Sequence, residues 1–134
     1  MNKKLMSCVI ENEQRNILLL HRNPDRRFFP DYWNFVSGHI ELGESAKECL
    51  VRELNEELGV TDFEILIEAE PFMDDLSSDD EVYEMYVFKC RLNQAFVVSR
   101  DEHDDFLWID PSELFDYKIL KGLVLDLKVL GYEL

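Results

Sequence analysis

Apolar positions divide this chain into short runs suited to strands and two stretches spaced for helices. Residues 5–10 and 16–21 read as strands on either side of the polar turn 11–14. They predict a hairpin with the β-rich inner run Ile17-Leu18-Leu19-Leu20, both strands lying in a central sheet. A short strand over 34–37 leads to Gly38, and further strands are predicted over 63–72, 82–92, 95–99 and 106–109. The acid-rich segment 73–81 reads as a solvated hairpin loop. Ala46, Leu50, Leu54 and Leu58 form one stripe at helical spacing. Ser45 and Glu48 mark its start as a capping box, and Gly59 supplies the left-handed residue that stops it. Asp110 caps a short helix with Pro111 at its first position, and Leu120, Leu123, Leu127 and Leu130 predict a last helix over 119–130, ended by Gly131. A mixed sheet with the first helix on one face and the last on the other accommodates this order, an α/β (α+β) fold.

Composition bounds the partners. The 134 residues, 46% hydrophobic, are enough for one domain over 1–134 with a substantial core. A formal charge of −15 argues against general nucleic-acid binding and against an anionic membrane surface, since both rely on broad basic faces. Cys8, Cys49 and Cys90 are odd in number and lack a Cys-x-x-Cys pair, so core thiols in a reducing, cytoplasmic compartment are expected rather than disulfides or zinc. The apolar run after Met1 ends at Ile10, too short for a signal core or a span. A homodimer is left open.

The chemistry gathers at the end of the first helix. Glu53, Glu56 and Glu57 share one edge of one turn, and the Glu53–Glu57 repulsion at i,i+4 costs roughly 0.2–0.5 kcal/mol. A hard divalent cation compensates for that cost, because Mg²⁺ prefers carboxylate oxygens and is completed by substrate phosphates. The bland alternative is a solvated acidic face.

Residues 38–60 fit the pattern G-x5-E-x7-R-E-U-x-E-E-x-G-U, where U is apolar, with Gly38, Glu44, Arg52, Glu53, Leu54, Glu56, Glu57, Gly59 and Val60 in the required places. This is the Nudix box, and the chain resembles the Nudix hydrolases, in particular the MutT-like nucleoside triphosphate pyrophosphohydrolases. The resemblance implies an α/β/α sandwich and hydrolysis of a nucleoside diphosphate linked to another group, with Mg²⁺ or Mn²⁺ as cofactor. It implies that Glu53, Glu56, Glu57 and the Gly38 carbonyl hold the metal, and that Arg52 grips Glu44 in support. For the group that activates the water it implies either a box glutamate or a carboxylate before the last strand, here Glu102, with Asp101, His103 and Asp104 as rivals. Beside those carboxylates the pKa of His103 is expected to rise.

The loop 22–33 is rich in arginines and aromatics. Arg22, Arg26 and Arg27 are candidates to fork onto phosphates, and Phe28, Phe29 or Tyr32 to stack on a base, so the expected partner is a nucleoside polyphosphate. Alternatively, the arginines pair with the many carboxylates and the aromatics, Trp33 above all, belong to the core. The leading substrate is a nucleoside triphosphate. Dinucleoside polyphosphates, a pterin triphosphate, a nucleotide sugar and capped RNA stay open, as does a silent nucleotide-binding module. Isomerisation of a prenyl diphosphate would want a cysteine near Gly38, and none stands there in sequence.

Overall fold

The computed structural model describes residues 3–75 and 82–134. In chain order these form β1 (Lys3–Ile10), β2 (Ile17–Arg22), β3 (Trp33–Asn34), β4 (Val36–His39), α1 (Ala46–Leu58), β5 (Phe63–Glu68), β6 (Phe72–Asp74), β7 (Tyr83–Leu92), β8 (His103–Ile109), a 3₁₀ helix (Pro111–Asp116) and α2 (Gly122–Val129). One sheet runs β4-β1-β7-β5, with β6 also on β7, and a second runs β3-β2-β8. β1 and β7 are parallel, Ile10 facing Cys90, and the other pairs are antiparallel, so the larger sheet is mixed.

Alternate residues of β1 explain the layers. Met6, Cys8 and Ile10 pack with Leu50, Leu54 and Leu58 of α1, while Val9 packs with Leu123 and Leu127 of α2. β2 divides the same way, Leu18 and Leu20 toward α1 and Ile17 and Leu19 toward α2. Strands covered on both faces read as unbroken apolar runs, as these two do. The α/β/α arrangement follows. The three cysteines are buried and unbridged, and among the described residues no helix is long and apolar enough to cross a membrane.

Several expectations need correction. The turn between β1 and β2 forms, with Asn12 Oδ1 accepting from the Gln14 and Asn16 amides. Beyond the Glu11–Ile17 bridge, however, the two strands part into different sheets. Each has both edges taken by non-local partners, β1 by β4 and β7, β2 by β3 and β8, and that pairing outweighs the local turn. Residues 95–99 form no strand, because the Val97 and Ser99 amides donate instead to the Leu58 and Glu57 carbonyls at the end of α1. The strand read over 63–72 is broken into β5 and β6, and the last strand starts earlier, at His103. α2 starts later than expected, since Trp33 donates to the Lys118 carbonyl and bridges Ile119. Most of the loop read over 73–81 lies outside the described residues.

The first helix forms as its sequence dictates. Ser45 Oγ accepts from the Glu48 amide at 3.1 Å, and Glu48 Oε1 accepts from the Ser45 amide at 2.9 Å. Gly59 closes the helix at φ 65°, a conformation glycine adopts without cost.

Candidate functional site

Arg52 is the brace of the site. Its Nε and Nη2 donate to Glu44 Oε2 and Oε1 at 2.8 and 3.0 Å, a two-pronged fork. Nη2 also donates to the His39 carbonyl (3.1 Å) and Nη1 to Glu53 Oε1 (2.7 Å). One guanidinium thus ties the end of β4 and the loop after it to α1. The Arg52 fork, together with the Glu41 amide, holds the Glu44 carboxyl down at about 2. Gly38 permits the close approach of Glu53, because a Cβ there would meet Glu53 Oε1 at 2.4 Å.

Glu57 is the least accommodated carboxylate. It is 4% exposed, and Oε2 has no hydrogen-bond partner among the described residues. Burial pushes its carboxyl well above the usual range, Glu53 and Glu102 push it further, and the Ser37 amide opposes them. The segment 95–99, pinned to the end of α1, delivers Glu102 and His103 beside it. Glu57, Glu102 and His103 offer atoms that all lie within 4.8 Å of one another. Arg26 Nη1 holds Glu102 Oε2 from 3.3 Å. His103 departs from expectation: burial, then Arg22 and Arg26, push its imidazole down to about 4 against the pull of Asp104.

The other expected residues divide. Glu56 is exposed, 3.5 Å from Arg52, and lies outside the group of Glu57, Glu102 and His103. Arg22 braces the loop, donating to the Phe28 and Phe29 carbonyls. Phe28 is 63% exposed, with the Arg27 guanidinium over its ring. Tyr32, by contrast, lines a cavity of about 320 Å³ together with Phe29, Ser7, Asn34, Ser37 and Asp126. Trp33 packs edge-on against His21 and Tyr117.

That cavity contains groups the sequence reading passed over. Asp126 is 3% exposed, takes a hydrogen bond from Ser7 Oγ on Oδ2, and leaves Oδ1 without a partner among the described residues. Burial raises its carboxyl to about 7; the Ser7 bond opposes this and Asp74 adds to it. A carboxylate beside Leu123 and Leu127, on a helix whose one other charged residue is Lys128, was the available signal. Ser37 joins the two regions, since it lines the cavity and its backbone amide is near enough to Glu57 to favour the charged carboxylate.

Known proteins match this arrangement. The NUDIX domain family matches residues 1–127. The chain belongs to the Nudix family. The nucleoside triphosphatase NudI of Escherichia coli is 30% identical over 143 aligned residues, spanning 92% of this chain and all of NudI. Two solved structures share the fold. A Deinococcus radiodurans protein aligns with TM-score 0.77 at 20% identity, over 95% of this chain and 82% of its own. The MutT protein of Methanosarcina mazei aligns with TM-score 0.75 at 24% identity, over 93% and 88%.

The Nudix site fits a divalent cation. Among the described residues Glu57 Oε2 is buried without a hydrogen-bond partner beside Glu53 and Glu102, while Arg52 is engaged by Glu44 and Glu53. That donor set suits an ion taking oxygen ligands.

Proposed function

We propose that the protein hydrolyses a nucleoside triphosphate to the monophosphate and pyrophosphate, with Mg²⁺ or Mn²⁺ bound at the box. The observation that carries this reading is the adjacency, through Ser37, of a base-sized cavity and an acidic cluster with an unpartnered inner oxygen. The cavity lies at the small end of ordinary ligand sites, roughly 300–1,000 Å³. NudI is a nucleoside triphosphatase, which supports the same substrate class.

Each residue then has a task. Phe29 and Tyr32, edge-on to each other at 5.5 Å, supply an aromatic wall for the base, and Ser7, Asn34 and Asp126 meet its polar edge. Glu53, Glu56, Glu57 and the Gly38 carbonyl are the residues that would hold the cation, and Glu102 stands beside Glu57. When bound, a divalent ion offsets phosphate charge and polarises the phosphoryl group. Arg52 keeps Glu53 and the preceding loop in place. Arg26 and Arg27 face the phosphates from the loop after β2. Glu102, held by Arg26, takes the proton from the attacking water.

A screen of nucleoside triphosphates, dinucleoside polyphosphates, a pterin triphosphate, nucleotide sugars and capped RNA, run with Mg²⁺ or Mn²⁺, tests the reading. Pyrophosphate and monophosphate in equal amounts from a nucleoside triphosphate are expected. Orthophosphate in place of pyrophosphate, or turnover of another class alone, overturns it.

A further inference from the structure

Nothing so far accounts for His103. Its ring is 2% exposed, and Nε2 has no hydrogen-bond partner among the described residues. Nδ1 stands 3.9 Å from Glu57 Oε1, beyond hydrogen-bonding distance. Buried imidazoles that serve packing alone normally satisfy their nitrogens. Here it is Nδ1 that faces the cluster with Glu57 and Glu102, where Glu57 Oε2 is also unpartnered among the described residues.

The backbone shows how the ring is brought there. β8 pairs with β2 in regular register from Ile17–Ile109 to His21–Asp105, and then a bulge sets Arg22 opposite His103. In unbroken alternation His103 would share the face of Leu107 and Ile109, which packs on the α2 side of the core. The bulge turns it to the α1 side, where Glu57 lies. Bulges re-aim side chains in this way beside functional sites.

We propose that His103 is a nitrogen ligand of the divalent ion held at Glu57, so that this centre is a mixed oxygen–nitrogen site selecting Mn²⁺ over Mg²⁺. The inference rests on the metal-dependent reading above. Imidazole suits transition ions, whereas Mg²⁺ takes oxygen ligands and keeps its waters. An all-carboxylate site has no such bias.

Manganese bound to the full-length protein reports the ligand directly. Pulsed electron paramagnetic resonance of the Mn²⁺ complex should show ¹⁴N coupling from a coordinated imidazole, retained in His21→Gln and His39→Gln and lost in His103→Gln. Titration of the free Mn²⁺ signal should give a dissociation constant raised ~10–100-fold in His103→Gln, the scale on which residues of a metal site act. Competition by Mg²⁺ should show a much smaller change. Should His103→Gln fail to fold, the wild type and the other two variants still decide, because coupling must be present in all three. Bound Mn²⁺ without ¹⁴N coupling, or coupling that survives His103→Gln, overturns the proposal. Hydrolysis assayed on the same samples separates the two readings. Turnover without ¹⁴N coupling overturns the ligand assignment alone, coupling without turnover overturns the triphosphatase reading alone, and absence of both overturns both.

Discussion

Ser7 Oγ donates a 2.8 Å hydrogen bond to Asp126 Oδ2, tying the middle of β1 to the inner face of α2 and leaving the other Asp126 oxygen buried without a partner among the described residues. The carboxyl sits at about 7 in the fold against 3.8 when unfolded, so the fold holds the extra proton between those values. Its favourable contribution is complete below the unfolded value and is lost as pH rises through about 7.

Asp126→Asn should therefore melt close to wild type near pH 4 and above it at pH 8, by on the order of 3 kcal/mol. Thermal melts of the free protein across that range check it. Parallel curves would mean that the carboxyl does not carry the shift.

Glu57→Gln removes a buried charge crowded by Glu53 and Glu102. The variant should melt at or above the wild-type temperature without added metal, yet lose most turnover, and divalent ions should no longer raise its melting temperature. Glu56→Gln is also expected to fold normally and lose most activity, through loss of a metal charge. If both keep near wild-type turnover at saturating Mg²⁺, the box carboxylates do not hold the ion.

Arg52→Lys keeps a charge but loses the planar fork that serves Glu44, Glu53 and the His39 carbonyl at once. Turnover should fall ~10–100-fold while calorimetry still detects metal binding. Unchanged turnover would reduce Arg52 to a surface pair.

Glu102→Gln should lower kcat by ~10²–10⁴-fold and remove the acidic limb of the pH–rate profile, with KM almost unchanged. If that limb persists at near wild-type rate, a box glutamate is the base.

What was legible in the sequence was local. The capping box and the left-handed Gly59 are set by spacings within one helix and both appear as read, as does the Arg52–Glu44 fork that the family resemblance implies. What was not legible depends on strand register. Nothing local says that β1 and β2 leave each other, or that residues 95–99 spend their amides on the end of α1. His103 is the clearest case. Its sequence neighbours are acidic and suggest a raised pKa, but burial dominates, and the fold brings Arg22 and Arg26 to it as well.

The parallel pairing of β1 with β7 also governs when the enzyme can come into being. Ile10 waits for Cys90, and Glu57 for Glu102, so during synthesis the box helix emerges well before the strand that anchors its sheet and the loop that completes its cluster. Contacts this distant slow folding, because the loop must close before any of them is rewarded. At roughly 5–20 residues per second, the ribosome holds an amphipathic, acid-edged helix exposed for seconds before its core exists. Synthesis rate and chaperone supply, rather than the strength of the finished core, would then limit the yield of active protein.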